Sequence, residues 1–402
     1  MVRLFVPRFR GSAAVLAWLL LALTAGAAAA LEVPNGLTVP SGFTIAAVAR
    51  VPRARELSAL PNGDLLVGTR GRDVYVVPDA EGASPGSPSV FATPPDDLAA
   101  GVAFSQRRSE IYIATERGIY AAPYEAGRRV AAQLRKIADV RTGPISPNTD
   151  GDAHSTTSVA VSDATETLYV AVGSSCNACV ETDPTRASIF SMQLPSGPLV
   201  KRATRIRNAI ALAIEPGNGA LWAGDAGQDD LPYGHPYEFL DDVSAHAGVA
   251  DYGWPQCEEN HKAYVTGADC SSAVAPLIVL PAYSTFIGAV FYPVQPRGHF
   301  AFPQEFRGTL FAAVHGSWHR SPQGGFAAAP QVVSIAMRDG RPAVPVDWQN
   351  PNAQWRTFVG GFQAPHAFNR VGRPTGLAVG PDGSLFIADD DAGVIYRVRP
   401  KL

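Results

Sequence analysis

Several residue types and motifs are scarce in this 402-residue chain, and each scarcity argues against a class of protein. Only 17% of the residues are charged, and long charged amphipathic runs are absent, which disfavours a helical architecture. No GxGxxG follows a strand to open a helix, so nicotinamide and flavin binding have no support. Walker A and GxSxG motifs are absent as well. After residue 30 no further apolar run is a candidate transmembrane segment.

The N-terminus has the pattern of a secretory signal peptide over 1–30. A segment with three arginines precedes the apolar run 13–26, and small residues occupy 27–30. A membrane anchor is the alternative, but the run is short for a span of ~20 residues and no stop-transfer segment follows it. We therefore expect cleavage, a periplasmic or secreted location, a mature domain over 31–402 and no stable membrane insertion.

The charge of the mature domain restricts its partners. The first thirty residues carry three Arg and no acidic residue, so their removal takes the formal net charge from -3 to -6. A mildly acidic protein is a poor match for nucleic acid or for an anionic membrane.

Only four cysteines are present, and they form two local groups. Cys176 and Cys179 lie in CNAC, whereas Cys257 and Cys270 are thirteen residues apart. An even count in an exported chain predicts two local disulfides. A Cys₄ zinc site is the alternative, which the compartment disfavours. CNACV lacks the His of a c-type haem motif, so we expect no haem in this chain.

One pattern occurs six times and predicts the fold. A turn precedes a short β-branched or aromatic run, which small or polar residues follow. Repeats of roughly 40–50 residues with several strands are typical of propeller blades, so we predict an all-β, six-bladed β-propeller. A β-sandwich would not explain six similar copies. The anchor residues of the copies are Leu65, Ile111, Leu168, Leu221, Leu310 and Leu385.

Unequal spacing between the copies predicts loop insertions. Two long intervals, at about 226–300 and 316–372, would hold them, and insertions in a propeller fall on one face, often the binding face. We also expect the N-terminal strand 43–49 to close the last blade together with the final copy.

One histidine, His154, precedes the strand of the third copy. A His at a strand start near the propeller axis can act as a general base, because its unperturbed pKa is near neutrality. A loop His bound by neighbouring backbone groups is the alternative on this residue alone.

Arginines recur at equivalent ends of the copies. Arg207 and Asn208 stand before the strand of the fourth copy, and Arg373 stands before that of the sixth. Arg320 follows the fifth copy and Arg70 ends the first. Several arginines converging on one axial mouth would make a strong anion site, although any one of them alone is more often a surface charge.

The loop GDAGQDDLP (224–232) is a candidate cation site. It places Asp225, Asp229 and Asp230 among Gly and Pro residues. Hard oxygen ligands on an irregular loop suit Ca²⁺. An ordinary acidic turn is the alternative, and the spacing is not that of an EF-hand.

Together these stretches resemble the soluble dehydrogenases of sugars that depend on pyrroloquinoline quinone (PQQ), most closely the sorbosone dehydrogenase and pyranose dehydrogenase branch. The resemblance extends from about residue 40 to the C-terminus and depends on the order and joint presence of the motifs. They are VGTRG, AHST, LYVAVGSSCNAC, RN followed by LAIEPGNGALWAGDAG, YGWPQC, HGSWHRS and RPTGLAVGPDGSLFIADDDAGVIYRV.

This resemblance implies oxidation of a sugar or sugar aldehyde with PQQ over the axial channel. His154 would match the catalytic base, and Arg207 would match the Arg beside the quinone C5 oxygen, with Asn208 next to it. Hydride would pass to C5, and electrons would pass to a separate acceptor, a cytochrome or a quinone. Arg320 and Arg373 would match the residues that hold the PQQ carboxylates.

The resemblance also implies a Ca²⁺ ion at the PQQ site. Backbone carbonyls of Gly227 and Gln228 would bind it. The acidic loop itself adds Asp229 and Asp230 as candidate ligands. Disulfides within the CNAC loop and after YGWP are implied too.

Three segments depart from the pattern of this branch. Tyr283 replaces a His in PAYSTFIG, His319 replaces an Asn in HGSWHRS, and YGHPYEF replaces an Asp-rich segment. Two rival functions are a Ca²⁺-dependent propeller lactonase and a non-catalytic propeller that binds glycan or protein. A lactonase needs an axial metal held by carboxylate and amide side chains. The axial candidates here are mostly Arg and His, which suits an anionic cofactor better.

Overall fold

A computed structural model describes residues 1–2, 31–142 and 154–402 of the chain. The predicted signal peptide, apart from its first two residues, lies outside the described residues and stays a prediction. The residues from Leu31 to Leu402 group into one unit by their contacts.

Six sheets, each with four antiparallel strands and one of them with a short parallel fifth strand, form the blades of a β-propeller, which confirms the predicted architecture. Each innermost strand contacts the innermost strands of two neighbouring blades, and blade 6 contacts blade 1, so the ring is closed.

The strand bounds follow the chain, from the innermost to the outermost strand of each blade. Blade 1 contains Ala54–Ala59, Leu65–Thr69, Val74–Val77 and Ser89–Ala92. Blade 2 contains Gly101–Ser105, Glu110–Ala114, Gly118–Pro123 and Arg135–Asp139. Blade 3 contains Thr157–Ser162, Thr167–Val172, Ser188–Gln193 and Leu199–Thr204, with Ala250–Asp251 parallel to its outer edge.

The remaining blades are built in the same way. Blade 4 contains Ala211–Ile214, Leu221–Asp225, Glu238–Asp242 and Ile278–Leu280. Blade 5 contains Phe286–Phe291, Leu310–Val314, Gln331–Ile335 and Trp355–Val359. Blade 6 contains Pro374–Val379, Leu385–Asp389, Val394–Pro400 and the N-terminal strand Phe43–Arg50.

The N-terminal strand closes the ring, as predicted. Phe43–Arg50 pairs antiparallel with Val394–Pro400, with Phe43 opposite Pro400. The last blade therefore takes its outer strand from the opposite end of the chain.

Burial explains why the six copies are visible in the sequence. Every anchor residue lies in the second strand of its blade and is at most 1% exposed. Sheets of neighbouring blades cover both faces of this strand, so it reads as a short continuous apolar run. Close packing near the axis adds a glycine requirement. A Cβ on Gly376 would lie 2.1 Å from the carbonyl oxygen of Arg55 in the next blade.

The two long intervals hold outer strands as well as loops. Interval 226–300 includes the 3₁₀ helix Val243–Ala245 and a hairpin of Cys257–Glu258 with Lys262–Ala263. A second 3₁₀ helix, Gln304–Phe306, precedes the second strand of blade 5, and interval 316–372 includes a hairpin of Met337–Arg338 with Arg341–Pro342.

Both predicted disulfides are formed, between Cys176 and Cys179 and between Cys257 and Cys270. Among the described residues, no helix has the length and apolar character needed to cross a membrane.

Candidate active site

A cavity of about 240 Å³ lies at one end of the propeller axis, where innermost strands begin and second strands end. Blades 3 to 6 contribute to it. Of the predicted residues, those that line it are His154, Arg207, Asn208, Gly227, Gln228, Asp229 and Arg373.

His154 is held in a defined tautomer. Its Nδ1 lies 2.8 Å from Ser174 Oγ and 3.3 Å from the Ser174 carbonyl oxygen. Ser174 Oγ donates its single hydrogen to the Cys176 carbonyl at 2.7 Å, so Nδ1 is the donor and Nε2 carries the lone pair. Burial, together with the positive charges of Arg207 and Arg186, lowers the pKa of His154 to about 3. The ring is therefore neutral near pH 7, with Nε2 as its basic atom.

Gly173 permits the approach of His154 to Asn208. A Cβ at this position would lie 2.6 Å from His154 Cβ and 2.7 Å from Asn208 Oδ1. Any larger residue at position 173 would push the side chains of His154 and Asn208 apart.

Arg207 is buried, at 5% exposure, and nearly all of its donors are bound. Nε and Nη2 donate to the carbonyl oxygen and Oδ1 of Asn177, at 2.9 and 2.8 Å. Nη1 donates to the Ala226 carbonyl, and Nη2 also lies 3.3 Å from Asp229 Oδ2. Since a guanidinium has five N–H groups, one Nη1 hydrogen has no acceptor in the part of the chain that the structure describes.

Asn177, inside the Cys176–Cys179 ring, connects the Arg207 side chain to the acidic loop. Its Oδ1 accepts from Arg207 and from the backbone N–H of Asp229, each at 2.8 Å. Its carbonyl oxygen also accepts from Trp254 Nε1 at 3.1 Å. The disulfide loop therefore fixes both the guanidinium and the 227–229 backbone.

Two equivalent aspartates hold the arginines at their strand starts. Asp225 accepts from the backbone N–H groups of Arg207 and Asn208, and Asp389 accepts from that of Arg373. Each Asp is the fourth residue after its blade's anchor, so the repeat itself explains why both arginines reach the same cavity. Asp225 is thus a structural residue in this fold.

Three buried carboxylates surround Gly227 and Gln228. Glu238 accepts from the Gly227 N–H at 3.1 Å, and Glu258 accepts from Gln228 Nε2 at 2.6 Å. Burial, followed by the charges of neighbouring acids, raises the pKa of Glu258 to about 8 and that of Glu238 well above its usual range. Burial also raises the pKa of Asp225 to about 6. This end of the cavity is rich in carboxyl and carbonyl oxygen atoms.

Arg373 faces the cavity from the opposite side. Its Nε and Nη2 donate to the carbonyl oxygens of His315 and Gly316, at 3.0 and 2.9 Å. Three of its N–H groups have no acceptor among the described residues. Arg373 is therefore better placed than Arg207 to bind an anion.

Three predicted residues do not line the cavity. Arg70 and Arg320 are exposed, and the Arg320 guanidinium lies 5.2 Å from the centre of the Phe368 ring. Asp230 is exposed too, and its carboxylate is 3.4 Å from Asn177 Nδ2.

The two departures from the branch pattern meet at the cavity. The rings of Tyr283 and His319 stack at 4.3 Å, and His319 Nε2 lies 3.5 Å from Asp229 Oδ1. Trp318, which also lines the cavity, is 64% exposed. The mouth of the site is therefore aromatic beside the acidic loop.

A family model described as TrAA12-like matches residues 37–257 and 241–401, which together span nearly all of the propeller. The chain belongs to the TrAA12-like family. A curated relative of this TrAA12-like chain, an uncharacterized protein of Borreliella burgdorferi, is 23% identical over 380 residues and covers 92% of each chain.

Solved structures share the fold of this TrAA12-like chain. The holo form of the pyranose dehydrogenase PQQ domain from Coprinopsis cinerea has a TM-score of 0.73 at 18% identity, covering 91% of this chain and 98% of that one. A calcium structure of a Trichoderma reesei enzyme of carbohydrate-active family AA12 has a TM-score of 0.71 at 19% identity, covering 91% and 97%.

Several residues of the candidate site were not predicted from the sequence. They are Ser174, Asn177, Arg186, Glu238, Glu258 and His315. Two sequence signals were available: Asn177 lies inside a three-residue cysteine spacing, and Glu258 follows a cysteine of the second pair. A short disulfide ring fixes the residue that it encloses, which makes that residue a candidate for positioning a partner.

Replacing Asn177 by Ala in this TrAA12-like chain is expected to weaken binding of an anionic cofactor about tenfold or more. The change removes the Oδ1 acceptor of a buried cation, and hydrogen bonds to charged groups are worth about 1.5–3 kcal/mol. Cofactor titration measures the effect. Asn218→Ala is the control, because Asn218 also accepts a backbone N–H but is exposed and does not line the cavity. Equal affinities for the two variants would contradict the positioning role of Asn177.

Proposed function

We propose that this protein is a PQQ- and Ca²⁺-dependent dehydrogenase that oxidises a sugar or sugar aldehyde. One observation carries the proposal: a neutral histidine, two arginines and an oxygen-rich loop converge on a single axial cavity. The fold shared with a PQQ domain in its holo form and with a calcium structure supports it.

The donors of the cavity fit PQQ. PQQ is an anionic quinone with carboxylate groups, so it requires cations around it. Arg373 offers three N–H groups, enough for the bidentate binding of a carboxylate, and Arg207 offers one N–H group for a single hydrogen bond. Asn208 adds a polar side chain beside Arg207. Arg70 and Arg320 would contribute from the rim, through a change of rotamer.

The acidic end of the cavity fits Ca²⁺. The backbone carbonyls of Gly227 and Gln228, with the Asp229 carboxylate, would supply hard oxygen ligands, and Asp230 would act from the exposed side. Burial, followed by the charges of neighbouring acids, raises the pKa of Glu238 and of Glu258. A divalent cation in the loop would favour the ionised form of both carboxylates.

The residues then divide the chemistry among them. PQQ supplies the two-electron oxidant and Ca²⁺ supplies a Lewis acid when they are bound. His154 Nε2 accepts the proton of a substrate hydroxyl, or of an aldehyde hydrate, because Ser174 and Cys176 hold the other nitrogen as a donor. Arg207 places a positive charge where negative charge develops.

The cellular setting belongs to the same proposal. Removal of residues 1–30 would deliver the protein to the periplasm or the exterior, where two disulfides persist. A separate cytochrome or quinone would then accept the electrons.

Reconstitution tests the proposed function. Purified apoprotein is given PQQ and Ca²⁺, and dye reduction is followed with a panel of aldoses and one ketoaldehyde. We expect reduction that depends on protein, cofactor and sugar together. Lactone hydrolysis is measured on the same sample. Hydrolysis without any PQQ-dependent dye reduction would replace the dehydrogenase proposal with the lactonase alternative.

Removal of Ca²⁺ is expected to abolish dye reduction and to weaken PQQ binding, since the loop carbonyls cannot hold PQQ without the metal. Activity is measured in excess chelator and again after Ca²⁺ or Na⁺ is added back. We expect Ca²⁺ to restore the activity and Na⁺ to leave it unchanged. Unchanged PQQ affinity and activity in chelator would disprove the role given to the metal.

A further inference from the structure

We propose that His315, with Asp390 and Arg55 behind it, is a second proton-transfer group of the cavity, and that its Nδ1 is the atom that accepts and releases the proton. This inference rests on the proposed function and adds a residue to it. His315 lines the cavity from blade 5, whereas His154 lines it from blade 3.

The three side chains form a buried chain of hydrogen bonds. His315 Nε2 lies 2.8 Å from Asp390 Oδ1, and Arg55 Nη1 donates to Asp390 Oδ2 at 2.8 Å. Each side chain is at most 10% exposed. The chain spans blades 5, 6 and 1, so the rigid propeller fixes its geometry.

The partners of Asp390 determine which nitrogen of His315 carries the proton. Arg55, Arg373 and the bond from His315 hold the pKa of Asp390 far below its usual range, although burial opposes them. An ionised carboxylate only accepts hydrogen bonds, so Nε2 is the donor and Nδ1 carries the lone pair. No described residue forms a hydrogen bond with Nδ1. Burial, with the charges of Arg373 and Arg55, lowers the pKa of His315 to about 4, so the ring is neutral at pH 7.

The two cavity histidines have opposite surroundings. His154 is held by a neutral serine and is near Arg207 and Arg186, so a proton that it accepts faces positive charges and no carboxylate among the described residues. A proton on His315 faces the carboxylate of Asp390 directly. This is how a catalytic aspartate stabilises an imidazolium in hydrolase triads. The positive charges of Arg55 and Arg373 oppose this stabilisation of the imidazolium. Arg70 adds positive charge next to Arg55, and Asp391 adds negative charge next to Arg373.

The overall reaction releases two protons, which two separate groups of the cavity can accept. Oxidation of a CH–OH group to C=O breaks one C–H and one O–H bond and releases two electrons and two protons. An acceptor that takes electrons alone, such as a haem cytochrome, leaves both protons in the cavity. His154 accepts the first of these from the substrate. We assign the second, released when the electrons depart, to His315 Nδ1.

The repeat pattern explains why these residues occupy equivalent positions in their blades. Arg70, His315 and Asp390 each stand five residues after the anchor of their blade. The equivalent positions therefore lie at the same end of the propeller, and two of the three are directly bonded to each other.

His315→Gln is the variant that tests the inference. The Gln amide retains a donor to Asp390 and leaves the Arg55–Asp390 pair intact, but it cannot accept the proton at Nδ1. The matched control is His246→Gln. His246 Nε2 also lies 2.7 Å from a buried aspartate, Asp241, and His246 does not line the cavity.

Two measurements decide the matter. Nitrogen NMR of the histidine-labelled apoprotein reports the tautomer, with Nε2 of His315 expected to be protonated. Rapid-mixing kinetics on the loaded enzyme separates substrate oxidation from re-oxidation by an electron-only acceptor. In His315→Gln we expect re-oxidation to fall by about 10²-fold, a much larger factor than any change in PQQ affinity or in substrate oxidation. The control should match wild type in every measurement.

The outcomes separate this inference from the proposed function. A protonated Nδ1 in the apoprotein, or wild-type re-oxidation in His315→Gln, would overturn the role of His315 while PQQ-dependent sugar oxidation stands. Failure of the wild-type protein to bind PQQ would overturn the proposed function, and this inference with it.

Discussion

Replacing His154 by Ala is expected to lower kcat by about 10²-fold or more while PQQ affinity changes little. In the proposed mechanism His154 is the general base, which acts mainly in the transition state. Its Nε2 is the basic atom of a neutral ring that Ser174 orients. Steady-state kinetics with several aldoses and one ketoaldehyde, combined with PQQ titration, measures both quantities.

His261→Ala is the matched control for this prediction. His261 Nδ1 also lies 3.0 Å from a backbone carbonyl, that of Cys270, but the side chain is exposed and does not line the cavity. Wild-type turnover in His154→Ala would remove the general base from the mechanism. It would also favour the non-catalytic binding propeller.

Arg373→Ala and Arg207→Ala are expected to weaken PQQ binding by about 10- to 150-fold each. Charge-assisted hydrogen bonds to a carboxylate are worth about 1.5–3 kcal/mol, and 1.4 kcal/mol corresponds to a factor of ten. Arg207→Ala should also lower kcat, because the proposed mechanism places the guanidinium beside the oxygen on which charge develops. It would further leave Asp225, Glu238 and Glu258 without the cation that lowers the pKa of each of them.

Arg320→Ala provides the comparison for both variants. Its guanidinium is exposed and lies against Phe368, so we expect a much smaller loss of PQQ affinity. Equal losses of PQQ affinity in all three variants would indicate that positive charge attracts the anion without a specific site. Unchanged PQQ affinity in Arg373→Ala would contradict the cofactor site.

The fold could be predicted from the sequence because each blade repeats the same physical requirement. The second strand of every blade is covered on both faces, and its anchor residue is fully or almost fully buried. The position of the outer strands was harder to predict. In blades 4 and 5 they are separated by long loops, so intervals that read as insertions also contain strands such as Ile278–Leu280 and Trp355–Val359.

The candidate site was predictable where the repeat fixes it. Arg207 and Arg373 stand at equivalent strand starts, each held by an equivalent aspartate, and both line the cavity. The repeat gives no such guidance for residues on loops. Arg320 lies just after a strand end in a loop, and its side chain turns to Phe368 instead of lining the cavity.

Residues that act through distant contacts could not be found from local pattern. Asn177 reaches Arg207 and Asp229, and Glu258 reaches Gln228, across thirty or more residues in the chain. His315 and Asp390 are separated by 75 residues and meet only because blades 5 and 6 are neighbours. Their pairing is a property of the closed ring.

Direct titration of the apoprotein with PQQ, in Ca²⁺ and in chelator, tests the central claim most directly. Binding is followed by the absorbance of PQQ, with the Arg207→Ala/Arg373→Ala double variant alongside. We predict saturation at one equivalent in Ca²⁺, weaker binding in chelator and no saturable binding to the double variant. Equal binding by the wild-type protein and the double variant, or no saturable binding by either, would contradict the assignment of the axial cavity as a PQQ site.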